Sequence, residues 1–234
     1  MGQSMRAIGD NLQAVRARVV RAAEAAGRDP RSVTLLAVSK THPAGLVEQA
    51  LAAGQRAFGE NYVQEAVEKM DALAPSFTGI EWHLIGPLQS NKTRIVTERF
   101  HWVQSVESEK IARRLSDQRP AGQPALNVLI QVNVSGEASK SGVAPGEVLS
   151  FAKAIGALPR LKLRGLMAIP EPGADVARYR ELKALYEKLK GEFGFDTLSV
   201  GMSDDMEAAI AEGSTMVRVG TAIFGARNKI RSAA

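Results

Sequence analysis

A lysine stands at position 40, closing the apolar run LLAVSK. At the end of a strand such an ammonium ordinarily snorkels to water. Aimed into a pocket instead, it is desolvated, its pKa falls and its amine becomes a nucleophile. Two stretches late in the chain give that amine something to face. In SVGMSDDMEAAI a strand runs through small residues into a helix start, where Ser203 is expected to cap the helix and leave backbone N–H groups for an anion. In VRVGTAIFGAR, Gly220 lets backbone approach a ligand closely and Thr221 offers a hydroxyl. Singly, Ser203 reads as a plain cap and Thr221 as a plain strand residue. Together they suggest a phosphate cradle.

A lysine amine facing a phosphate site suits two chemistries: an internal aldimine with pyridoxal 5′-phosphate, or a Schiff base with a sugar phosphate. Arg218 discriminates between them. It lies two residues before Gly220 on the same strand face, within reach of the ring nitrogen of a phosphate-anchored pyridoxal. A guanidinium only donates, so it would hold that nitrogen unprotonated and blunt the ring as an electron sink. An aldolase lysine is expected on a later strand than the first. The plainer alternative for Arg218 is an internal ion pair with Glu107 or Asp205.

The elements that must position these residues follow from periodicity. Residues 3–27 have apolar positions at helical spacing (Ile8, Leu12, Val15, Val19) and a stop at Gly27, so they are expected to form a helix. Strands are expected at 33–40, 56–60, 80–86, 101–107, 126–134, 162–170, 197–203 and 215–225. Between them lie helices at 43–53, 62–73, 108–118, 146–158 and 175–193, and a short turn at 206–212. Such alternation implies parallel strands. Eight units closing on themselves make a (β/α)₈ TIM barrel over about 33–225, with an extra N-terminal helix, and residues 1–234 form a single domain. An open doubly wound sheet is disfavoured because SKTHPAG lacks a dinucleotide glycine fingerprint. In a barrel the active site lies at the C-terminal ends of the strands, and the phosphate site at the loops after strands seven and eight. If Lys40 points inward, Leu36 and Val38 share its face. Leaving bulky apolar residues for the helix side then turns His83, Asn133, Met167, Ser203 and Arg218 inward as well.

Composition excludes several classes. Of 234 residues, 45% are hydrophobic and 24% charged, an ordinary globular balance. No window is apolar enough to span a bilayer. Cysteine is absent, which fits the cytoplasm, and three histidines without paired spacing argue against a metal site. The net charge of +5 is scattered, with small clusters at 160–164 and 227–231, and aromatics are 5%. Nucleic acid is therefore not an expected partner, whereas an anionic small ligand is.

Seven motifs in order, LLAVSKTHP, FGENYVQEA, WHLIGPLQSNK, VLIQVNVSGEASKSG, LRGLMAIP, LSVGMSDDMEAAI and VRVGTAIFG, make the chain resemble the pyridoxal-phosphate-binding homeostasis protein family from about Leu35 to Gly225. The resemblance implies a barrel of the alanine-racemase N-domain type with pyridoxal phosphate as a Schiff base on Lys40. It implies phosphate binding by Ser203, Gly220 and Thr221, Arg218 against the ring nitrogen, and Asn61 and Met167 lining the ring. Lys140 would be a second lysine near the mouth, and its plainer reading is a solvated loop lysine.

Related racemases carry a second, β-rich domain that supplies an opposing acid–base group. The chain is expected to lack it, ending nine residues after Gly225. Racemisation needs positioned groups on both faces of Cα. His83 is better read as a packed histidine than as the missing base. The expectation is a monomeric, cytoplasmic carrier of pyridoxal phosphate in vitamin B6 homeostasis, with no robust turnover and with pyridoxal-phosphate-dependent apo-enzymes as possible acceptors. A weak amino-acid racemase and a cofactor-free aldolase-like barrel are the alternatives.

Overall fold

A computed structural model describes residues 2–136 and 141–226. Lys140 and the basic cluster at 227–231 lie outside them. Eight parallel strands close on themselves in chain order: β1 Thr34–Val38, β2 Ala57–Glu60, β3 Glu81–Leu84, β4 Trp102–Val106, β5 Leu126–Gln131, β6 Leu161–Met167, β7 Thr197–Ser199 and β8 Met216–Val219. Closure is made by β8 against β1, with Leu36 opposite Arg218 and Ala37 opposite Val219. The chain thus forms a (β/α)₈ barrel, as its alternating periodicity requires.

The helices are α1 Gly2–Ala25, α2 Ala44–Ala52, α3 Val63–Leu73, α4 Thr93–Arg99, α5 Glu109–Gln118, α6 Val148–Gly156, α7 Val176–Phe193, α8 Met206–Ala211 and α9 Thr221–Phe224. α4 and α9 were not expected. α4 is seven residues long and polar on most faces, too short to print a period. The last strand also ends earlier than its apolar run, because Gly220 begins a turn into α9. α8 and α9 are short, and α1 packs against both and against α2, covering the seam of the barrel. Its stripe Ile8, Leu12, Val15, Val19 and Ala23 is buried.

Two apolar cores result. The larger lies between strands and helices and includes Ala37, Phe58, Leu84, Val103, Val128 and Ile130. The smaller fills the barrel itself: Leu36, Val38, Ile85 and Met216 on one side, Trp102, Leu129 and Met167 on the other. Leu36 and Val38 therefore point inward as expected. The pairing of β5 with β6 slips between Val128 and Leu129, and Gly165 follows the slip with φ 150°. A Cβ there would stand 1.9 Å from the Thr197 carbonyl oxygen, so glycine is what lets β6 and β7 close up. Among the described residues no helix is long and apolar enough to cross a membrane.

Candidate functional site

Lys40 lies two residues beyond β1, half-buried in a turn. The turn is held from below. Lys69 on α3, with a side chain 5% exposed, donates to the Ser39 carbonyl at 2.6 Å, to Glu60 Oε1 at 2.7 Å and to Glu65 Oε1 at 2.6 Å. Ser39 Oγ donates to the same Glu60 oxygen, and the backbone N–H of Thr41 donates to Glu65. Thr41 has a left-handed φ of 64°, a strained conformation for a β-branched residue, and these bonds keep it there. Burial pushes the Glu60 carboxyl above its ordinary range, and Lys69 opposes that shift. On the other side the His42 ring packs at a tilt against Phe224 of α9, ring centroids 5.3 Å apart. The lysine turn is thereby joined to the last helix.

Three elements meet beside it. A Cβ on Gly220 would come 3.1 Å from the Val38 carbonyl oxygen, so the end of β8 runs close against the end of β1. Thr221 opens α9 instead of continuing the strand. Ser203 lies in a turn after β7, and the helix it was expected to cap, α8, has Asp205 as its N-cap. Asp205 is occupied otherwise, accepting from the Met202 N–H and the Tyr179 hydroxyl. Ser203 Oγ instead accepts from the N–H of Ala222 in α9. The serine, the glycine and the threonine are therefore one cluster, and α1 braces it: Arg18 donates to the Ser203 carbonyl and Asn11 to the Ile223 carbonyl.

Arg218 is 4% exposed. Neither Glu107 nor Asp205 pairs with it. Its guanidinium donates to the Ser199 carbonyl and hydroxyl and to the Ala168 carbonyl, all neutral oxygens. A guanidinium carries five N–H groups, and three of them make these bonds. Burial pushes its pKa down to about 10, which still leaves it charged at neutral pH.

The remaining expected residues divide. Asn61 follows β2 and its Oδ1 is buried without a hydrogen-bond partner. It borders a cavity of about 340 Å³ at the mouth, shared with Ile85, Gly86, Ser105, Glu107 and Gln131. Met167 ends β6 fully buried against Trp102 and Leu129, forming the floor beneath the mouth. Asn133 lies beyond the end of β5, and its Oδ1 accepts from Gly136 N–H within the loop. His83 is not at the mouth: it sits within β3, stacked on Trp102 at 5.0 Å, and burial holds its pKa below the ordinary range. The Lys69 cluster, Arg18 and Ser199 escaped sequence reasoning, since nothing in a periodic pattern marks a buried cation on a helix. The one available signal was FGENYVQEAVEK, which places Glu65 and Lys69 one helical turn apart.

The residues present fit pyridoxal phosphate: an amine on Lys40, a turn of small and hydroxyl residues at Ser203, Gly220 and Thr221, and a donor-only cation at Arg218. Comparison with known proteins points the same way. Residues 11–228 match the alanine racemase N-terminal domain family. The chain is 59% identical over 226 residues to the pyridoxal phosphate homeostasis protein of Pseudomonas aeruginosa, covering 96% of this chain and 97% of that one. It is 55% identical to the protein of the same name from Escherichia coli, over 96% of this chain and 98% of the other. The structure of PipY from Synechococcus elongatus with PLP bound superposes with a TM-score of 0.81 at 35% identity, covering 93% of this chain and 100% of that one.

Proposed function

The chain belongs to the pyridoxal phosphate homeostasis protein family, built on the alanine racemase N-terminal barrel, and from that premise we propose that it holds pyridoxal 5′-phosphate at the barrel mouth and serves cofactor homeostasis, not turnover. When bound, pyridoxal phosphate would supply an aldehyde for Schiff-base chemistry, and Lys40 would provide the amine. Ser203, Gly220 and Thr221 would hold the phosphate through backbone N–H groups and hydroxyls. Arg218, which can only donate, would face an unprotonated ring nitrogen. Asn61 would line the ring's edge at the mouth cavity, and Met167 would support the ring from beneath. The Lys69 cluster fixes the turn from which Lys40 reaches.

The arginine carries this reading. A buried guanidinium bonded to neutral oxygens and to no carboxylate, on the strand that ends at Gly220, is suited to a ligand that accepts. It is unsuited to stabilising a carbanion on the ring, because it cannot supply the proton that would draw electrons in. We further propose that the protein works as a single-domain monomer in the cytoplasm, with pyridoxal-phosphate-dependent apo-enzymes as acceptors of the cofactor. The test is an absorbance titration with pyridoxal phosphate. A visible band should form in the native protein, vanish on borohydride treatment and be missing in Lys40→Ala. A colourless native protein would leave the cofactor-free reading in its place, and racemisation of alanine or serine faster than about one turnover per second, an ordinary enzymatic rate, would make it an enzyme.

A further inference from the structure

Inside the barrel a row of polar side chains joins Arg218 to the opposite rim. Arg218 Nη1 lies 2.9 Å from Ser199 Oγ, and Ser199 Oγ lies 2.7 Å from Gln104 Oε1. Gln104 Nε2 lies 2.9 Å from His83 Nδ1, and His83 Nε2 lies 2.9 Å from Glu81 Oε1. Ser199, Gln104 and His83 are fully buried, whereas the Glu81 side chain, at the N-terminal end of β3, is 46% exposed.

With His83 neutral and Glu81 ionised, the two ends of the row together set its sense. The guanidinium can only donate, so Ser199 accepts and its own hydrogen goes to the Gln104 carbonyl. That turns the Gln104 amide nitrogen toward His83 Nδ1, which must accept. The one ring proton of His83 is then on Nε2 and is donated to Glu81, a carboxylate that only accepts. A cation at the mouth and an anion at the floor terminate a line of dipoles that all point one way, each bond polarising the next. One side bond leaves the row, from Gln104 Nε2 to Met216 Sδ at 3.2 Å, and it uses the second amide hydrogen. Besides Glu81, His101 lies near His83, Arg164 covers the Trp102 ring at 4.7 Å, and Asp205 acts on Arg218 only through space. A second proton on His83 would set its Nδ1–H against the Gln104 amide and force that amide to turn, taking the acceptor away from Ser199.

We propose that this row is one device, in which Glu81 and His83 are positioning residues for the Arg218 guanidinium and, through it, set the charge state of an aromatic nitrogen bound at the mouth. The proposal rests on the pyridoxal phosphate reading of the site. It differs from a merely structural role because Glu81 touches nothing at the mouth and still governs the ring.

Two variants test it, Gln104→Leu and Glu81→Gln, the second at a half-exposed position where folding is safe. In the cofactor-free protein, nitrogen NMR should find His83 as the Nε2–H tautomer. With pyridoxal phosphate added, Gln104→Leu should weaken binding roughly tenfold and move the pH midpoint of the visible band by about one unit, a tenfold change in a proton equilibrium. Glu81→Gln should move both in the same direction by roughly a third as much. An Nδ1–H tautomer in the native protein overturns the proposal. So does a band that stays put in both variants while their melting temperatures fall. A native protein that takes up no pyridoxal phosphate overturns the cofactor reading and the claim about the ring nitrogen, and the tautomer still decides whether the row exists.

Discussion

Lys69→Met asks what holds the turn that carries Lys40. Methionine keeps the aliphatic stem of the lysine and removes its charge and its bonds to Ser39, Glu60 and Glu65. Glu60, fully buried, is left with the Ser39 hydroxyl as its partner. Breaking a buried pair in this way costs about 3–5 kcal/mol, mostly from the charge left behind. The charge can be relieved by a proton. Burial already raises the Glu60 pKa and Lys69 holds it down, so the variant raises it further. A carboxyl whose folded-state pKa exceeds its unfolded value contributes stability present below the unfolded pKa and lost as pH rises through the folded one. The difference between native and variant must therefore be largest in mild alkali and shrink on acidification. Urea unfolding should give a loss of about 3–5 kcal/mol at pH 8 and less than about 2 kcal/mol at pH 5. In melting temperature the alkaline loss is about 10 °C for a chain of this size. A loss under about 1 kcal/mol at pH 8, or an equal loss at both pH values, would refute the argument that Glu60 and Lys69 hold the turn as a charged pair.

Two further outcomes follow from the same geometry. Gly165→Ala places a methyl against the Thr197 carbonyl at a backbone φ of 150°, so β6 and β7 must part; a loss of about 3 kcal/mol or more is expected in thermal unfolding, and a melting curve like that of the native protein would contradict the close approach. Arg18→Ala removes the brace on the Ser203 carbonyl from outside the barrel, and titration should show pyridoxal phosphate binding weakened several-fold while unphosphorylated pyridoxal is unaffected. Equal loss for both ligands would mean that Arg18 supports the fold in general and not the phosphate cradle.

What the sequence determined by itself is the architecture and the rim at which chemistry is possible. Periods of two and 3.6 residues are local properties, and eight alternations leave few ways to close a chain, so strand order and the inward faces of Leu36, Val38 and Arg218 could be read from spacing. Lys40, Ser203, Gly220 and Thr221 converge because a parallel barrel puts every strand's C-terminal end on one side. The tertiary structure decided what each of them bonds to. Ser203 serves α9 and not α8, since the loops after β7 and β8 cross in space and not in sequence. Arg218 found neutral oxygens in place of a carboxylate, and His83 lies at mid-depth, because a period gives a face but not a height along the axis. Lys69 is the sharpest instance: a helical lysine beside glutamates reads as solvent-exposed, and only the packing of α3 under the β1 turn buries it. Burial of a charge is a property of neighbours distant in the chain, and no local pattern encodes it.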